Sequence, residues 1–258
     1  MMTNLIYLLI CYWLFCIGSY VLKIRGLPLF NRLGNLGKLQ TTHQKLDWGL
    51  WFTHRVSFVV FYGIGSIVIP SIMIISCFRP TSLSNSLGCL LYTLHCLRRL
   101  LESLFVHRYG SHRIGFLNFF AGISYYFAAP LSVFVSSQFE PVYFMPFNIT
   151  VVLTIFFIFI SFIQFSCHLC LSRLKKYTLP SMLWFRSLVC PHYSAEITIY
   201  FLIIFYFSES LNSLALPLLV FVFVFINRIW ETKLSKQWMI LKFPEFKTVI
   251  EKRRIFFW

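Results

Sequence analysis

The chain has 258 residues, 58% of them hydrophobic, 20% aromatic and 12% charged, with a formal net charge of +15 and a mean hydropathy of +0.74. Soluble domains carry about 25% charged residues, so these figures exclude an ordinary soluble domain and disorder alike. Eight cysteines, most of them inside apolar runs, exclude a disulfide-stapled secreted fold.

A hydrocarbon core about 30 Å thick needs about 20 apolar helical residues. Seven such stretches occur, and the fold class they predict is an all-α integral membrane protein with a lumenal amino terminus and a cytosolic carboxyl terminus. The first, near 5–22, has no Lys or Arg before it and no small-residue cleavage site after it, so it reads as a permanent anchor and not a signal peptide. The second covers 52–77. The third, 86–106, contains His95, Arg98, Arg99 and Glu102, spaced three or four apart so that they share one helix face. Each charge costs about 2.5–3.5 kcal/mol at a helix centre, whereas each Leu or Phe returns about 0.3–0.6. This helix must therefore turn its charged face to protein or to a water-filled cavity, with a structural ion pair between Glu102 and Arg98 or Arg99 as the plainer reading.

The fourth stretch covers 116–136 and the fifth 147–171, the latter beginning at a sequon, Asn148-Ile149-Thr150, placed too near the bilayer for use. If the fifth helix continues to about 175, Gln164, His168 and Lys175 fall along one side. The sixth, 194–208, is preceded by Cys190-Pro191, a favourable helix start, and His192, Glu196 and Tyr200 then recur every fourth residue. A short polar turn at 208–210 leads to the seventh stretch, 211–226, which ends near Arg228. On one side of the membrane, loops 23–50, 107–115, 172–193 and the tail from 227 hold nineteen Lys or Arg, against Arg79 alone on the other. That asymmetry obeys the positive-inside rule and accounts for the basic charge without nucleic acid.

Three polar rows opening toward the same side, with Arg228, predict one cavity suited to an anionic, planar ligand such as a phosphorylated nucleotide. There is no G-x-G-x-x-G, no phosphate loop, no H-E-x-x-H and no G-x-S-x-G. Cys167 and Cys170 form a C-x-x-C without a second pair, so no metal is expected.

At these residues the sequence resembles the polyprenol reductase branch of the steroid 5α-reductase family. Leu94-His95-Cys96-Leu97-Arg98-Arg99-Leu100-Leu101-Glu102, with Ser103 to Val106, is similar to H-x-x-R-R-x-x-E-x-L-F-V. Gln164 to His168 resembles Q-Y-x-C-H, with Leu174-Lys175 at its L-R and Tyr177 and Pro180 at Y-x-x-P. Pro191 to Glu196 resembles P-N-Y-x-A-E, Trp51 to His54 resembles W-F-T-H, and Phe243-Pro244 falls near a tail Y-P.

The resemblance implies a seven-helix endoplasmic-reticulum enzyme that uses NADPH to saturate the α-isoprene double bond of a long polyprenoid lipid, on the route to dolichol for protein glycosylation. By position, Arg99, Gln164, His168, Lys175, Tyr177, His192, Glu196 and Arg228 would line the NADPH site in a half of about 160–258, with Glu196 near the nicotinamide amide. A substrate half of about 50–115 would carry the catalytic candidates His54, His95 and Glu102. Steroid reductases have Gln-Glu where this chain has His54-Arg55, and Tyr at Cys96, which argues against a steroid substrate. Thr232 and Lys236 replace the usual H-x-x-x-Y after Arg228. Hydride adds readily to an enal because its carbonyl oxygen takes up the developing charge, so the expected substrate is the aldehyde, polyprenal. Neutral or charged imidazole can donate to that oxygen near pH 7, with His54 the first choice and His95 the second. The alternatives are a long-chain enoyl thioester reductase and a non-catalytic scaffold or transporter.

Overall fold

The computed structural model describes residues 2–26, 50–76, 80–111, 113–175 and 178–256. Among the described residues eight α-helices follow in chain order: α1 (Met2–Ile24), α2 (His54–Ser76), α3 (Leu83–Phe105), α4 (Phe116–Ser136), α5 (Phe147–Arg173), α6 (Pro191–Tyr206), α7 (Leu211–Lys242) and the short α8 (Lys247–Lys252). Five of them, α1, α2, α4, α5 and α7, are long and apolar enough to cross a membrane. The other two main helices depart from that pattern for different reasons. α3 carries the charges named above, and α6 has only 16 residues.

Helix α3 is inverted relative to a soluble amphipathic helix. Its buried face runs through Asn85, Gly88, Tyr92, His95, Arg99 and Glu102, while Leu90, Leu94, Leu97, Leu101 and Phe105 are exposed. Apolar side chains outward and polar ones inward is the arrangement that hydrocarbon surroundings favour and water does not. Helix α6 is the hub: twelve of its sixteen residues are buried, packed by α5 and α7 and also touched by α3. Pro191 stands in its first turn, where a missing N–H costs nothing.

Small residues let the helices close. A Cβ at Gly88 would lie 2.8 Å from the Cβ of Tyr206 and 2.7 Å from the ring of Phe207, both fully buried. The Tyr206 atom adjoins the backbone and cannot swing aside, so Gly88→Ala should separate α3 from α6. An overpacked helix contact of this kind costs about 1–3 kcal/mol; thermal unfolding of the detergent-purified variant should show the loss, and an unchanged midpoint would mean that the contact gives way freely.

Two features tie the bundle at its ends. A two-stranded antiparallel ribbon, β1 (Trp51–Thr53) with β2 (Arg113–Gly115), pairs Phe52 with Ile114 and holds the starts of α2 and α4 side by side. Phe52 stacks on Phe119 at 3.9 Å between centroids. At the opposite end the buried Glu209 carboxylate accepts from the Ser82 hydroxyl and, at 2.8 Å, from the Met145 N–H, and its carbonyl accepts from Val142 N at 2.9 Å. Thr81 adds bonds to the carbonyls of Ser137 and Phe139. What the sequence presents as a short polar turn is thus a buried junction of α3, α4, α5, α6 and α7.

Two boundaries differ from expectation. α5 stops at Arg173, with Leu174 extended and Thr178 bonded to the Lys175 carbonyl, so Lys175 is exposed and does not continue the row of Gln164 and His168. α7 does not end near 226 but runs 32 residues to Lys242. No Gly or Pro interrupts 218–243, so the helix continues past the point where its apolar character fades, for about 48 Å in all.

Candidate active site

The rows expected on α3, α5 and α6 converge. Glu102, 1% exposed, is the centre: both Arg98 and Arg99 donate to its carboxylate, from four and three residues earlier on α3 respectively. His168 Nδ1, reaching across from α5, lies 2.7 Å from the same carboxylate and 2.8 Å from Arg99 Nη1. A guanidinium can only donate and a carboxylate can only accept. His168 Nδ1 thus lies between an acceptor on Glu102 and a donor on Arg99, and Arg99 also donates to Glu102 and, at 2.9 Å, to Tyr62 Oη of α2.

Arg98 carries the network onward. Besides Glu102 it donates to Gln164 Oε1 of α5 and, at 3.2 Å, to His95 Nδ1. Gln164 is fully buried, and its Nε2 donates to the His192 carbonyl at 3.3 Å and to Glu196 Oε2 at 3.4 Å. Glu196 then pairs with Arg228 of α7 at 3.0 Å, whose guanidinium lies over the Tyr193 ring, 5.1 Å from its centroid. One connected chain of charges and amides thus runs through α3, α5, α6 and α7, with Tyr62 of α2 at its edge. The plainer expectation, an ion pair of Glu102 with a neighbouring arginine, is met twice over, yet it forms part of this larger set. Aromatic rings close around it: His192 lies 5.4 Å from His168, and Tyr125 Oη donates to Tyr200 Oη at 3.0 Å.

The network is not saturated. His192 Nδ1, Arg98 Nε and Arg99 Nε are buried and have no hydrogen-bond partner among the described residues. Buried polar nitrogens left so cost about 1–3 kcal/mol each, and the two guanidinium N–H groups among them fit a site built to receive an anionic, hydrogen-bonding group.

Several residues stand where sequence reasoning did not put them. His54 opens α2, its ring 5.9 Å from Phe58, which in turn stacks 6.2 Å from Tyr62; it is one aromatic layer from the charges. Tyr177 lies outside the described residues, as do Arg79 and most of the loop 23–50. Tyr62 and His107 were missed. Tyr62 is one aromatic among many in an apolar run, and only packing sets its hydroxyl against Arg99. His107, just past α3, places its ring 5.0 Å from His168, where burial, and then the Arg99 charge, push its imidazole down to about 4. Glu102, His107 and His168 bring ligand-type atoms within 4.8 Å of one another. Two guanidiniums already hold that carboxylate, and a cation placed there would face both of them, so the cluster reads as a hydrogen-bonded set and not as a metal centre.

The fold and this interior charge network define a helical membrane protein with a polar core. The sequence profile of the 3-oxo-5-alpha-steroid 4-dehydrogenase family matches residues 113–256, more than half of the chain, and the chain belongs to that family. The matched stretch contains Gln164, His168, His192, Glu196 and Arg228, and leaves His54, His95, Arg99 and Glu102 outside it. Similar proteins include the polyprenal reductase of Saccharomyces cerevisiae, 34% identical over 116 residues, 45% of each chain. That of Xenopus tropicalis is 29% identical over 181 residues, 64% of this chain and 58% of that one, and that of Danio rerio 27% over 251 residues, 77% and 80%. A very-long-chain enoyl-CoA reductase of Dictyostelium discoideum is 26% identical over 201 residues, 68% and 64%. The chain spans roughly half the length of the yeast and Xenopus tropicalis relatives.

Proposed function

We propose that the chain is a seven-span endoplasmic-reticulum reductase that uses NADPH to saturate the α-isoprene double bond of polyprenal, on the route to dolichol. The observation that carries this reading is the buried network from Glu102 to Arg228, with its unpartnered donors, inside a bundle whose outer face is apolar. The outward leucines of α3 support its being a span, as the basic loops support a cytosolic carboxyl terminus.

Arg99 and Arg228 would hold phosphate oxygens, and Gln164, His192 and Glu196 would hold the nicotinamide amide; when bound, NADPH supplies the hydride for the β-carbon of the enal. Lys175 would lie at the outer margin of the site. His168 and Glu102 act as positioning residues that fix the direction of Arg99. Because Arg98 can only donate to His95 Nδ1, the neutral His95 ring carries its proton on Nε2. That N–H is the group we assign to the aldehyde oxygen, with His54 as the rival donor. The dry, aromatic surroundings strengthen such a donor by lowering the local dielectric.

The test is direct. Purified protein is offered polyprenal, polyprenol or a long-chain enoyl-CoA, each with NADPH or NADH. Oxidation of NADPH with the aldehyde and not with the alcohol is the expected result. Turnover of the alcohol alone refutes the chemistry, turnover of the thioester alone moves the chain to the enoyl-CoA reading, and failure to bind NADPH leaves the scaffold reading.

A further inference from the structure

A second site lies outside the network. Where α7 leaves its apolar portion, a groove of about 510 Å³ separates it from the chain after α8. One part of the groove is apolar: Phe225 and Ile229 from α7 and Phe256 from the tail, with Phe225 and Phe256 6.4 Å apart between centroids. The other part is basic, formed by Lys233, Lys236, Arg253 and Arg254, and no acidic side chain lines the groove among the described residues.

The basic part is a built structure. Lys236 Nζ donates to the carbonyls of Glu251 and Arg253 at 2.7 and 2.9 Å. Residue 254 is bonded through its backbone to Ser187 and Val189, at 2.8 and 3.0 Å. The tail is thereby clamped, and Arg253 is only 3% exposed. Its Nε and Nη1 nevertheless have no hydrogen-bond partner among the described residues. A buried guanidinium with unpartnered donors, beside two lysines and no acid, has the chemistry that binds an anion.

The depth of the groove identifies the anion's carrier. Phe225 and Lys236 are eleven residues apart on one continuous helix, about 16 Å along its axis. The apolar end falls in the portion of α7 suited to hydrocarbon, and the basic end falls beyond it, at the level of lipid headgroups. A soluble phosphate would use the basic end and leave the apolar end empty; an amphiphile uses both. We propose that this groove holds the phosphate of an anionic membrane lipid against Arg253 and the lysines, with its acyl chain along Phe225 and Ile229. The proposal does not rest on the reductase reading.

The full chain is placed in nanodiscs of equal parts phosphatidylglycerol and phosphatidylcholine, and the lipids that stay bound are counted by native mass spectrometry. Retention should favour phosphatidylglycerol, and Arg253→Gln should lower that preference about fivefold or more, in proportion to one lost basic contact. Should Arg253→Gln fail to fold, Lys233→Gln, at an exposed position, takes its place with the same expected loss. Equal retention of the two lipids, or a preference intact in the folded variant, overturns the proposal. So does displacement of phosphatidylglycerol by millimolar inorganic phosphate or NADPH, which would assign the groove to a soluble anion.

Discussion

Replacing Glu102 by Gln should destabilise the folded bundle by about 3–5 kcal/mol, the usual cost of removing one partner from a buried ion cluster. Glu102 is the only acid in contact with Arg98, Arg99 and His168 among the described residues. Its amide replacement keeps the size and one acceptor but leaves two guanidiniums uncompensated in a low-dielectric interior. Thermal unfolding and protease resistance of the detergent-purified protein measure the effect. If NADPH occupies the site, its phosphates offer the arginines a substitute, so added NADPH should raise the midpoint of the variant by more than that of the parent protein. A loss below about 1 kcal/mol would mean that the arginines are solvated and that the cluster is not the core it resembles.

His95→Ala should lower the rate of enal reduction by about 10²–10³, the penalty for losing one donor to a developing oxyanion, while NADPH affinity stays near that of the parent protein. His54→Ala should cost less than about tenfold, because its ring packs on Phe58, which in turn stacks on Tyr62, one aromatic layer away from the charges. Single-turnover rates with NADPH and polyprenal, together with NADPH binding curves, separate chemistry from binding. The reverse order of effects would move the donor to His54, the residue that motif position alone favours.

The contrast between those two histidines shows where sequence is informative. Rows spaced by three or four residues fixed which side chains share a helix face, and the burial of His95, Arg99, Glu102, Gln164, His168 and Glu196 follows that spacing. Contacts between helices have no such local signature: nothing in the neighbourhood of Tyr62 or His107 marks them as partners of Arg99 and His168. Boundaries judged by hydropathy fail where helix and hydrocarbon part company. α7 runs on to Lys242 because its residues continue to favour a helix after they cease to favour lipid. The reverse holds at Lys175, where spacing extends the row but the backbone has already turned away.

The junction around Glu209 concentrates the fastening of several helices on one carboxylate residue. Ser82, Met145 and Val142 are bonded to one residue between α6 and α7, and the Thr81 bonds bring in α4. A single buried residue thus couples the ends of α3, α4, α5, α6 and α7, so that none of these ends is held by one neighbour alone.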